Sequence, residues 1–209
     1  MRRRLPAGQR RTEILEAAMR LADEVGPDRL TVEAIAGAVG LTQPGVFRHF
    51  PAKQAIWEAV AEVIAERMTT AWDDVLARPG EPEDRLAGLI GAQLRLIQAT
   101  PAIPAILFSR ELHVANDGLR ESFLALMRRF HGAVAGEIRR AQDAGAFRRD
   151  LAADDAAFLL IGLVQGLAVR WSLTGRAFAL EAEGARLLSV QLGLLRGSSV
   201  APVDSEALA

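Results

Sequence analysis

An all-α fold of about nine helices is what this sequence predicts, and three observations predict it. Alanine and leucine dominate while tyrosine is absent, a composition that favours helix over strand. Apolar residues recur at three- and four-residue steps along most of the chain. Glycine, proline and Asn-Asp breaks cut this pattern into segments of helical length.

The first helix runs from Arg11 to Val25, with Ile14, Leu15, Ala18, Leu21, Ala22 and Val25 on one face and Gly26-Pro27 as its stop. Thr31 is the N-cap of a short second helix that ends at Gly40. Glu33 stands in its first turn beside the positive end of the dipole, and Ala34 denies it a full capping box. Thr42 caps a third helix, with Pro44 in the first turn where no amide is needed, running to about His49. A long helix follows from about Ala52 to Leu76, roughly 40 Å at the helical rise. Its stripe of Trp57, Val60, Ile64, Met68, Trp72 and Val75 makes both tryptophans core residues. After the break at 78–82, helices are expected at 83–99, 103–114, 118–144, 153–174 and 179–195. The tail from Gly197 has the composition of disorder.

Composition narrows the function. With 50% hydrophobic residues the chain is not disordered as a whole. No uncharged run, those at 96–109 and 156–169 included, reaches the roughly 18 residues of a membrane span, so no membrane partner is expected. No apolar segment follows the basic N-terminus, and there is no cysteine, so the expected address is cytoplasmic, without disulfides. His49, His113 and His131 lack metal-ligand spacing and no phosphate-binding glycine loop follows a strand. Neither an enzyme, a cofactor nor a metal is therefore expected. Charge is uneven: residues 1–53 carry nine Arg/Lys against six Asp/Glu, and the rest carry 16 against 20. A basic first quarter on an acidic remainder suits a polyanion at one end.

Residues 31–50 fit a helix-turn-helix. Gly40 supplies the turn, Ala36 leaves room for the next helix, and Ile35, Val39, Leu41 and Val46 fix the angle. Gln43, Gly45, Arg48 and His49 stay polar or small on the other side, as a major-groove helix requires. Residues 11–57 resemble the DNA-binding domain of the TetR (tetracycline repressor-like) family of bacterial transcriptional regulators. Leu30-Thr31-Val32, Ile35-Ala36, Gly40-Leu41-Thr42, Phe47-Arg48-His49-Phe50-Pro51 and Lys53 carry the resemblance.

The resemblance implies roles. Thr31 and Thr42 would meet DNA phosphates, as would His49 and Lys53, the only lysine. Lys53 opposes its helix dipole, so a phosphate explains it better than helix stability does. Gln43, Gly45 and Arg48 are the candidates for base readout, the alternative being plain solvation. Arg2, Arg3, Arg4, Arg10 and Arg11 are either a DNA-contacting arm or a solubilising tail. The family usually has tyrosine where this chain has Phe47, which is therefore expected in the core, and a small polar residue where it has Ala52. Four segments are expected: a basic arm at 1–10, a DNA-binding domain at 11–53, a ligand-binding and dimerisation domain at 54–196, and a disordered tail at 197–209.

In such a family the larger domain binds an unknown small molecule and forms the homodimer. The helices at 153–174 and 179–195 suit a two-fold interface or intrachain packing. Gln93 and Gln165, with Phe108, His113, Arg170 and Trp171, are candidate ligand contacts, and each also fits an ordinary structural role. The function implied is a ligand-responsive repressor on a palindromic double-stranded DNA operator. Two alternatives stay open, an architectural or cell-division DNA-binding factor on the same scaffold and a helical small-molecule carrier.

Overall fold

The computed structural model describes residues 7–196; the expected arm residues Arg2, Arg3 and Arg4 and the tail from Gly197 lie outside them. Among the described residues there are ten α-helices and no strand. They are α1 (Ala7–Val25), α2 (Val32–Val39), α3 (Gln43–Phe47), α4 (Lys53–Leu76), α5 (Pro82–Ala99), α6 (Ala102–Leu107), α7 (Arg110–Ala115), α8 (Asp117–Asp143), α9 (Ala153–Leu173) and α10 (Leu180–Arg196). The first helix begins four residues earlier than its apolar pattern indicates, because Gly8 to Arg10 are polar turns of the same helix.

The single helix expected at 103–114 is two. Ser109 leaves helical geometry at φ −73°, ψ 101° and caps α7 by accepting the Leu112 amide at 3.0 Å. Its hydroxyl also donates to Asp28 at 2.6 Å, which ties the break to the loop after α1. The apolar run Ile106-Leu107-Phe108 hid this interruption.

The helices pack into two compact units that interleave along the chain. Among the described residues, one contains 7–70 and 96–127, the other 71–95 and 128–196. In the first unit α1 packs against α2 and α6, and α2 against α3. Ile14, Ala18, Ala22, Leu30, Ile35, Val46, Phe50 and Trp57 form its interior together with Ile103 and Ile106. Asn116 is buried there and holds two elements: its amide donates to the Gln54 carbonyl at 3.1 Å while its oxygen accepts the Leu119 amide at 2.9 Å, starting α8.

In the second unit α9 packs against α10. Trp72 stacks on Phe130 at 4.6 Å and donates to the Gln93 side-chain oxygen at 3.0 Å. Both expected core tryptophans, Trp57 and Trp72, are buried. Gly184 of α10 meets Leu94 of α5 so closely that a Cβ would stand 2.2 Å from the leucine Cδ1. The carboxylate of Glu137, only 1% exposed, is held by Arg85 at 3.0 Å and by Arg140 at 2.5 Å.

Helix α9 is long and apolar enough to cross a membrane by length and composition, with a mean hydropathy of 1.6. The uncharged-run criterion passed over it because Arg170 interrupts the run. Ala156, Ala157, Leu160, Val164, Leu167 and Trp171 form its buried side. The other side is not buried within the chain: Phe158 is 65% and Leu173 82% exposed, with Leu159 and Val169 between them. On α10, Val190 and Leu194 are exposed in the same way.

Candidate nucleic-acid interface

The turn between α2 and α3 is built by local chemistry. Gly40 sits at φ 63°, ψ 41°, a left-handed position that costs a residue with a Cβ energy. This lets Leu41 donate to the Ala36 carbonyl at 2.8 Å and Gly40 to that of Gly37 at 3.2 Å, the double closure of a Schellman motif. Thr31 accepts the Ala34 amide at 3.1 Å and Thr42 the Gly45 amide at 3.3 Å, so both expected N-caps form. Each cap uses a lone pair of the oxygen and leaves the hydroxyl hydrogen for another acceptor.

Val46 and Phe50 anchor α3 inward, while Gln43, Pro44, Phe47 and Arg48 face outward and Gly45 and His49 are half-buried. Phe47 departs from expectation: it is 38% exposed, not core. It follows Gln43 by four residues on the same stripe, and the inward stripe is already filled by Val46. Arg11 supports this end from outside. Its guanidinium donates to the His49 carbonyl at 2.5 Å and lies 4.2 Å above the Phe50 ring. Arg10 pairs with Glu13 at 2.6 Å. Both arginines therefore have structural work within α1 and its neighbours.

Lys53 opens α4 and is half-buried. Among the described residues neither Lys53 nor Arg48 makes an ion pair or side-chain hydrogen bond. Gly45 has no internal reason to be glycine: an added Cβ would lie 3.4 Å from Leu41 and Thr42, ordinary contact distances. Thr31, Thr42, Gln43, Gly45, Arg48, His49 and Lys53 all belong to the first unit.

The six ligand candidates do not share one unit. Phe108 and His113 belong to the first, Gln93, Gln165, Arg170 and Trp171 to the second. Phe108 is exposed. The His113 Nε2 meets the Leu107 carbonyl at 2.9 Å, and its ring is edge-on to Phe123. Trp171 donates to the Phe178 carbonyl at 3.0 Å, and Arg170 lies over the Phe178 ring and 3.6 Å from Glu183. These contacts fasten the turn between α9 and α10. Hydrogen bonds from Arg186, with Arg170 close by, hold the Glu183 carboxyl below the usual carboxylate range despite partial desolvation.

A two-helix unit with a capped, outward-facing second helix preceding an unpaired lysine is a helix-turn-helix head of the DNA-binding class. The comparisons agree over most of the length. The model of bacterial regulatory proteins of the tetR family matches residues 14–60, and that of the BetI-type transcriptional repressor C-terminal region matches 82–192. The chain belongs to the TetR family and is a transcription regulator with a helix-turn-helix DNA-binding domain. It is similar to the nucleoid occlusion factor SlmA of Pectobacterium carotovorum subsp. carotovorum (strain PC1), 27% identical over 144 residues, 68% of this chain and 73% of that protein. Its fold is similar to a TetR transcription regulator from Haloarcula marismortui ATCC 43049, with a TM-score of 0.77 and 22% identity, covering 91% of this chain and 100% of that one. It is also similar to a transcriptional regulator from Saccharomonospora viridis solved with choline, with a TM-score of 0.76 and 25% identity, covering 88% and 95%.

Proposed function

We propose that this chain is a homodimeric, ligand-responsive repressor that leaves a palindromic operator when a small molecule binds. The observation that carries the reading is α3 with its C-cap, where Gln43 and Arg48 are exposed and Gly45 is half-buried, followed by Lys53, which has no ion partner among the described residues. Gln43 and Arg48 read base edges, glutamine suiting adenine and arginine guanine. Thr31, Thr42, His49 and Lys53 take phosphates, the threonines through the hydroxyl hydrogens their caps leave free. Gly45 lets the DNA come close. A cytoplasmic address follows from the partner.

The exposed apolar residues Phe158, Leu159, Val169 and Leu173 on α9, with Val190 and Leu194 on α10, support a second copy as their cover. A two-fold dimer would set two heads about 34 Å apart, one helical turn of DNA. The likeness to the BetI-type repressor region and to a regulator solved with choline supports a small-molecule effector in the 54–196 segment. Such an effector acts only through different affinities for the DNA-bound and free states, so operator and effector oppose each other reciprocally.

The test is binding of purified protein to the DNA upstream of its own gene and its neighbour's, against a scrambled duplex, at two salt concentrations. Tight, selective binding in dimer steps is expected. A second reading, an architectural factor acting at many chromosomal sites, is favoured by the likeness to SlmA. Salt-sensitive binding without local selectivity, with dispersed occupancy and no gene responding to deletion, would select it. No DNA binding at all would leave a helical carrier.

A further inference from the structure

A second feature of the first unit involves the same lysine. A cleft of about 180 Å³ opens between the loop after α1, the first turns of α4, and α7. Its charged walls are Lys53, Asp28 and Glu111, and Trp57, Leu112 and Ala115 supply its apolar surface. The charges are available. Neither Lys53 nor Glu111 has an ion pair or side-chain hydrogen bond among the described residues. Asp28 has one oxygen engaged by Ser109, and the other has no ion pair or hydrogen bond among the described residues. The Trp57 ring is buried, and its indole N–H has no acceptor.

Size and charge together define an occupant. A cavity of about 150 Å³ holds benzene, whereas drug-sized ligands need about 300 Å³ or more. The cleft therefore suits a molecule with the bulk of a free amino acid. A cation and two acids around an apolar wall complement a zwitterion, with its carboxylate on Lys53, its ammonium on Glu111 and Asp28, and an aliphatic body against Trp57 and Leu112. An anion alone would face two carboxylates, and a cation alone would face the lysine.

We infer that this cleft is a binding site for a small zwitterion of the free amino acid class, and that its occupant competes with DNA for Lys53. Binding at the cleft stands apart from the repressor reading; the competition rests on it, through Lys53 as a phosphate contact. A bound carboxylate neutralises the ammonium that would meet the DNA backbone, so occupancy weakens DNA binding without any displacement of α3.

The test uses the full-length protein labelled with ¹⁵N, free of DNA, and follows the Trp57 indole N–H signal assigned by Trp57→Phe. The probes are the standard L-amino acids, each at millimolar concentration. At least one aliphatic amino acid moves the signal saturably, and its deaminated and decarboxylated analogues do not. Glu111→Gln weakens that binding about tenfold, the loss of one charge-assisted contact, with the rest of the spectrum unchanged. In Lys53→Met the decarboxylated amine binds as well as the amino acid. The site is overturned when no amino acid moves the signal saturably, or when either analogue matches the zwitterion in the unmodified protein. The competition is overturned when the bound amino acid leaves DNA affinity unchanged. If the protein binds no DNA, the repressor reading fails and the site is still judged by the spectra.

Discussion

The outward face of α3 and the ion-pair belt of the second unit treat charge in opposite ways. On the head, Arg48 and Lys53 have no acidic partner among the described residues. In the second unit every arginine from 129 to 149 is committed: Arg129 to Asp73, Arg139 to Asp154, Arg140 to Glu137, Arg148 to Asp150 and Arg149 to Asp143. The same side chain thus does two jobs. Paired, it fastens one helix to another or closes a turn; unpaired on a small, well-anchored helix, it is held ready for an external anion. Local partners, more than net charge, separate a binding surface from a structural one.

Five substitutions would break or sharpen this contrast. The largest effect on stability is expected from Arg85→Ala, which leaves the buried Glu137 carboxylate with Arg140 alone. Breaking a buried pair costs several kcal/mol when no partner remains, so a loss of about 2–3 kcal/mol is expected in urea denaturation. A loss below about 0.5 kcal/mol would put this pair in the class of weak surface bridges and remove the contrast.

On the head the effects move to DNA. Lys53→Ala leaves the urea midpoint unchanged, weakens binding to all sequences alike and lowers the salt slope by about one. Arg48→Ala instead relaxes the preference at one base pair, worth about 1–3 kcal/mol of discrimination; a uniform loss would make it a phosphate contact. Gly45→Ala separates stability from function. Its Cβ fits beside Leu41 and Thr42, and alanine is the better helix residue by about 0.5–1 kcal/mol. Thermal stability should therefore rise while operator affinity falls; a rise in both would remove Gly45 from the interface.

The smallest effect concerns acid. Hydrogen bonds from Arg148 lower the Asp150 pKa, and those from Arg186 lower that of Glu183. A lowered folded-state pKa stabilises above the ordinary unfolded value, near about 4, and that contribution disappears as pH falls through the folded value. Glu183→Gln should make the acid limb of the stability curve slightly shallower. Each pair has one exposed member, Asp150 and Arg186, so added salt should shrink the difference.

Helices and caps were legible in the sequence because their causes are local. Thr31, Gly40, Thr42 and Pro44 act within one turn of themselves, and the three-to-four-residue spacing decides the rest. Phe47 was not legible. Apolar character predicts burial only in one direction, and the inward position at this turn of α3 belongs to Val46. Ser109 offered a capping signal, masked by the apolar residues before it. The ligand candidates fall in both units, Phe108 and His113 in the first and Gln93, Gln165, Arg170 and Trp171 in the second, an assignment that no local pattern encodes. The cleft beside Lys53 joins positions 28, 53 and 111, too far apart along the chain for spacing to connect them.

The interleaving of the units bears on how such regulators can be recombined. Helix α1 packs against α6, which comes after α5 of the other unit in chain order. A chimera joined near residue 53 would present α1 with another regulator's α6, and the Ser109 hydrogen bond to Asp28 would span the foreign junction. A working transplant must carry residues 102–116 along with the head, or re-match the side chains across that seam. The reading head of this protein is not a cassette.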